Sequence, residues 1–151
     1  MNSSHVIDAH ALVWYLTDNP NLGSAARQIM SDPNAVLVLP AIALAEAVMV
    51  VEKKRVEIES VESLINAVDA DRRLTIAPVT RDVVVQASAI VGMNDLHDRL
   101  IVATALVMQQ AGIDAVLLDG GQRDRRFWIG PDRMERHHAD ANGAANGAPT
   151  A

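Results

Sequence analysis

His5-Val6-Ile7-Asp8, followed at once by Ala9-His10-Ala11-Leu12-Val13-Trp14-Tyr15-Leu16-Thr17, sets a pattern that returns through the chain. A short apolar strand ends on an acid, and a helix begins. The strand is apolar without alternation, as expected of one covered on both faces. Leu12, Val13 and Leu16 then recur at helical spacing. Asp18-Asn19-Pro20-Asn21 is turn chemistry, and Ser24 to Met30 reads as a second helix closed by Ser31-Asp32-Pro33-Asn34. Ala35 to Leu39 is a second buried strand, after which Pro40 suits the first turn of a helix running from Ala41 to Lys54. Lys53-Lys54-Arg55 suits the negative end of that helix.

Glu57 to Ala70 reads as another amphipathic helix, with Ile58, Val61, Leu64, Ile65 and Val68 on one face. Leu74 to Val79 is a third strand, and Thr80 caps a helix to Val91. Gly92-Met93-Asn94 leads into a long helix, Asp95 to Gln110, stopped by Gly112. Ala115 to Asp119 is a fourth strand, again ending on an acid, and Phe127-Trp128-Ile129 is a candidate edge strand. Strands that alternate with helices in this way predict an α/β fold: a three-layer sandwich with a mostly parallel sheet of four to five strands. Residues 1–136 are expected to form one domain. From His137 onward Ala, Asn, Gly and Pro dominate, so 137–151 reads as a disordered tail.

The bulk properties narrow the chemistry. With 151 residues the chain is long enough for one domain and an ordinary core. Trp14, Tyr15, Phe127 and Trp128 are all its aromatics, so that core is aliphatic. The lack of cysteine excludes disulfides, thiolate metal sites and a thiol nucleophile, and suits a reducing compartment. No basic segment precedes an apolar stretch at the start. The longest apolar run, Ala35 to Val51, is interrupted by Pro40 and Glu46, so no membrane span and a cytoplasmic location are expected. A formal charge of −6 is the wrong sign for holding nucleic acid by a broad basic surface, although acidic proteins are common and the sign by itself says little. Any such role needs metal ions, a local basic patch or a partner.

The acids are the candidate chemistry. In an open α/β sheet, functional groups gather beyond the carboxyl ends of the strands, where Asp8 and Asp119 fall. Glu46 is the only charge between Pro40 and Val51, and its helical face carries Ile42 and Val50. Asp95 and Asp98, three residues apart, share a helix face. Carboxylates brought together repel unless a cation joins them, and oxygen ligands suit Mg²⁺ or Mn²⁺. Each acid also has a structural reading. Asp8 and Asp95 could be N-caps, Asp98 a first-turn acid and Asp119 a turn residue before Gly120-Gly121. His97 reads as a packing residue before it reads as a base. Arg99, or the Arg123, Arg125, Arg126 cluster, could hold substrate phosphates.

Val6 to Leu16 resembles the opening of PIN-domain nucleases, which often run Asp-Thr-His-Ala-Leu-Leu-Trp. Asp95-Leu96-His97-Asp98-Arg99-Leu100-Ile101-Val102-Ala103-Thr104-Ala105 is similar to their Asp-Pro-Phe-Asp-Arg-Leu-Ile-x-Ala-x-Ala helix. Leu39 to Ala47 is similar to their glutamate helix. The nearest branch is the VapC-type toxins of toxin–antitoxin pairs. The resemblance implies a PIN-like fold, Mg²⁺-dependent cleavage of RNA with Mn²⁺ as a substitute, a VapB-type antitoxin and a homodimer. Carried over by position, Asp8 and Asp98 are metal ligands, Glu46 completes the cluster, and Asp95 is a possible further ligand. The family ends its last core strand with Thr-x-Asp. Aligned on the acid, Asp119 is the fourth ligand and Leu117 replaces the Thr; aligned on the strand, Asp119 replaces the Thr and Gly121 the ligand. The first alignment is preferred. Two rivals remain at this level. One is a PIN-like binding module weakened in catalysis. The other is a phosphatase or receiver domain using Asp8, disfavoured because His10 stands where a second Asp belongs.

Overall fold

A computed structural model describes residues 3–120. In chain order the elements are β1 (Ser4–Ile7), α1 (Ala9–Leu16), α2 (Ser24–Ser31), β2 (Val36–Pro40), α3 (Ala41–Glu52), α4 (Val61–Ala70), β3 (Leu74–Ala77), α5 (Arg81–Ser88), α6 (Leu96–Gln110) and β4 (Ala115–Leu118). The four strands form one sheet in the order β3-β2-β1-β4, parallel at every pairing. The α/β architecture expected from the sequence is therefore the one observed. The candidate strand at Phe127-Trp128-Ile129, the Arg123, Arg125, Arg126 cluster and the 137–151 tail lie outside the described residues.

β1 runs between β2 and β4, so Val6 and Ile7 are fully buried. The chain steps from β1 through β2 to β3 on one side, then crosses to β4 on the other. The sheet therefore switches direction between β1 and β4, where an α/β crevice opens. Ile7 is the register partner of Leu118. Asp8 and Asp119 each follow directly, so they leave the sheet from adjacent strand ends.

The main core joins the sheet to α1, α3, α4 and α6 through Ile7, Leu12, Leu37, Leu39, Ala43, Leu64 and Ile101. A second cluster packs α5 on α6 through Val83, Ala87, Ile90, Leu100, Ala103 and Leu106. Both are mostly aliphatic, with Trp14 the aromatic in the first and Tyr15 packed against it.

Several boundaries differ from the sequence reading. The helix expected from Glu57 begins at Val61, because Ser60 caps it by accepting the Ser63 N–H at 3.1 Å. β3 stops at Ala77, since Pro78 has no N–H to give a ladder. Pro40 is the N-cap of α3 rather than a residue of its first turn. Thr80 caps α5 as expected, but α5 ends at Ser88 rather than Val91. There Ser88 Oγ donates to the Val85 carbonyl and the Arg99 guanidinium takes that of Ala87, so the final carbonyls are satisfied without another turn.

Arg73 is a fastening that the sequence did not reveal. Its Nη1 donates to the carbonyls of Met30 and Asp32 at 2.7 and 2.8 Å, tying the end of α2 to the start of β3. Its Nε and Nη2 bond Asp71 at 2.9 and 2.7 Å. The side-chain hydrogen bond from Arg73 holds the Asp71 carboxyl below its ordinary range, and the same bond raises Arg73. A carboxylate pKa depressed by folding stabilises the protein above its unfolded value, and that stability is lost as pH falls through the folded value. Arg73→Ala is expected to lower stability by about 1.5–3 kcal/mol at neutral pH, the range for hydrogen bonds to a charged group. The difference from wild type should narrow in acid as Asp71 protonates, which urea unfolding across pH will measure.

Candidate metal centre

The short β1–α1 and β2–α3 junctions place Asp8 and Glu46. Asp8 follows β1 without a loop and is the N-cap of α1, its Oδ1 accepting the Ala11 N–H at 2.7 Å. It is 2% exposed, so its charge sits at the inner end of the central strand. The capping reading and the site reading of Asp8 thus describe one conformation. Asp119 is half-buried at the neighbouring strand end.

α3 starts straight from β2 and carries Glu46 along its length toward the start of α6. There Glu46 Oε1 meets His97 Nδ1 at 2.9 Å. Asp95 is the N-cap of α6 and accepts the Asp98 N–H at 3.0 Å. Glu46, Asp95 and His97 each present a ligand atom, and these atoms lie within 4.8 Å of one another. The structure therefore joins Glu46 to Asp95 and His97, and sets Asp8 beside Asp119. Asp98, half-buried in the first turn of α6, is held there by the bond from its N–H to Asp95.

His97 differs from its reading as a packing residue. The signal available in the sequence was its place between Asp95 and Asp98 in the turn that a capping acid must hold tightly. Two carboxylates and an imidazole at this spacing form a donor set that fits a divalent ion, Mn²⁺ especially, since imidazole is a poorer ligand for Mg²⁺. Without ligating directly, the Nδ1–H of His97 can fix the orientation of the Glu46 carboxylate, a common task for groups next to metal ligands. Arg99 is engaged elsewhere: its Nε and Nη2 donate to the Ala87 carbonyl at 3.1 and 2.9 Å. That geometry makes Arg99 a tie between α5 and α6 rather than an arm aimed at substrate.

Next to the cluster lies an open cleft of about 360 Å³ between α1 and α3. Ala9 and His10, the residues after Asp8, share its lining with Glu46 and His97. Trp14, with its indole set 5.4 Å from the His10 ring, and Met49 give it apolar walls. Behind Trp14 stands Gly120. A Cβ there would lie 2.6 Å from Trp14 Cζ3, so no larger residue fits without moving the indole. Read from the sequence as turn material, Gly120 is instead the floor on which the wall of the cleft rests.

The sheet is parallel throughout, and β1 and β4, which flank the point where the strand order reverses, are each followed by an acid. The family model for the PIN domain matches residues 5–127, and the chain belongs to the PIN-domain family. Among solved structures, the VapC20 toxin of Mycobacterium tuberculosis, described as a sarcin-ricin loop cleaving toxin, shares this fold with a TM-score of 0.53. It is 20% identical over 78% of this chain and 91% of its own. No curated protein sequence matches the chain.

Gly120→Ala is expected to displace the Trp14 ring and lower stability by about 1–3 kcal/mol, as overpacking does. Urea unfolding followed by circular dichroism checks this; a variant as stable as wild type would show that the indole does not rest on Gly120.

Proposed function

We propose that this protein is a divalent-metal-dependent ribonuclease and the toxin of a type II toxin–antitoxin pair. The observation that carries the reading is the convergence of Glu46, Asp95 and His97 within 4.8 Å, from two helices far apart in sequence, beside a cleft that Ala9 and His10, the residues after Asp8, also line. Membership of the PIN-domain family supports it. So does the likeness in fold to a loop-cleaving toxin, which favours RNA as the substrate.

Asp8, Asp98, Glu46 and Asp119 would hold Mg²⁺, or Mn²⁺ in its place, with Asp95 as a further ligand. When bound, such an ion lowers the pKa of water and offsets charge building on a phosphodiester. The protein's own groups prepare the site. The Ala11 N–H fixes Asp8, the Asp95 cap fixes the turn that carries Asp98, and His97 fixes Glu46.

A VapB-type antitoxin fits the same reading as its inhibitor. Exposed Val79, Val84, Val85 and Val91, on and beside α5, offer apolar surface for a homodimer. No helix among the described residues is long and apolar enough to cross a membrane.

Asp8→Asn is the decisive variant, because Asn caps a helix about as well as Asp and the fold should persist. Cleavage of single-stranded RNA in Mg²⁺ should fall by about 10²–10³-fold, the scale of losing one electrostatic contributor to a transition state. An Asp8→Asn protein as active as wild type would rule the site out.

A further inference from the structure

The acidic chain needs a local basic patch to hold nucleic acid, and the cleft supplies one. Lys53, Lys54 and Arg55 follow the last turn of α3, where positive charge complements the helix end. The structure gives two of them another place: Lys53 and Arg55 line the cleft whose opposite end is Glu46 and His97.

The backbone is shaped to put them there. The Arg55 N–H bonds the Val50 carbonyl at 3.1 Å, and the Lys54 N–H bonds that of Val51 at 2.9 Å. This is a Schellman closure, whose turning residue is left-handed and usually glycine. Here it is Lys54, with φ 53°. The turn leaves Lys53 and Arg55 on the cleft side of the helix end. Lys53 follows Glu46 by seven positions on α3, roughly 10 Å along the axis at the helical rise.

Resting on the ribonuclease reading, we infer that this cleft is the subsite for the nucleotide next to the scissile phosphate. Its base lies on the exposed His10 ring and Met49, with the buried Trp14 backing His10, and its distal phosphate is held by Lys53 and Arg55. The arrangement complements a single strand of RNA in order: an acid cluster for the metal and scissile phosphate, an aromatic and aliphatic wall for a base, then two cations for the next phosphate. Aromatic platforms with flanking cations are the usual means of holding single strands. An amphipathic protein helix would use the apolar wall, but a strand of phosphates uses both the wall and the cations beyond it.

The test is fluorescence anisotropy of a labelled single-stranded RNA decamer on the slow-cleaving Asp8→Asn protein without added metal, with and without Lys53→Ala and Arg55→Ala. Both side chains are exposed, and circular dichroism will confirm the fold. The double substitution is expected to weaken binding ~10-fold and to reduce the salt slope by about 0.7–1.4, since each lost phosphate contact on a single strand contributes ~0.7. Lys53→Arg with Arg55→Lys should bind as the parent does. Unchanged affinity and slope in the alanine variant would overturn the inference. If the otherwise wild-type chain still cleaves RNA in that case, the ribonuclease reading survives alone. If the chain neither binds nor cleaves RNA, both fail. Loss of a helical protein partner with RNA binding intact would assign the cleft to the partner and overturn the subsite.

Discussion

The structure turns on a carboxylate buried at the end of the central strand. Asp8 cannot be moved outward, because β1 lies between two parallel neighbours and Ile7 before it is fully buried. It cannot be moved along the chain either, because it caps the helix that starts one residue later. A buried negative charge is tolerable only when donors or cations meet it. The Ala11 N–H donates to it, and Asp119 ends the next strand, so the register that builds the sheet also sets these two carboxyls at adjacent strand ends.

The arginines divide between fastening and function in a way that charge alone does not show. Arg73 and Arg99 spend their donors on backbone carbonyls at the ends of α2 and α5. Each replaces a helical turn that the chain does not build. Lys53 and Arg55 make no such bond in the structure's helix ends and instead face the cleft. A chain of net charge −6 can therefore keep a local basic patch, by placing it in the cleft that Glu46 and His97 also line.

Much of the fold was legible in the sequence because the strands are apolar runs bounded by turn residues, and each carries an acid or proline at its end. Val6-Ile7-Asp8 and Leu117-Leu118-Asp119 announce their own termini. Local chemistry decided what was misread. The start of α4 depended on which residue could cap it, and Ser60 outcompeted the amphipathic pattern beginning at Glu57. The end of α5 depended on Arg99, twelve residues from the carbonyl it takes. Asp8, Glu46 and Asp95 could be picked out as acids in unusual settings. The bond between His97 and Glu46 and the contact of Gly120 with Trp14 could not, because they arise from packing between elements far apart in the chain.

The central claim is that these acids form one divalent-ion site. Isothermal titration of the metal-free protein with Mn²⁺ measures that directly, without reference to any substrate. Saturable binding that is abolished or weakened at least about tenfold, or 1.4 kcal/mol, by Glu46→Gln is the expected result. Absence of saturable binding in the wild-type chain, or binding untouched by Glu46→Gln, would contradict it.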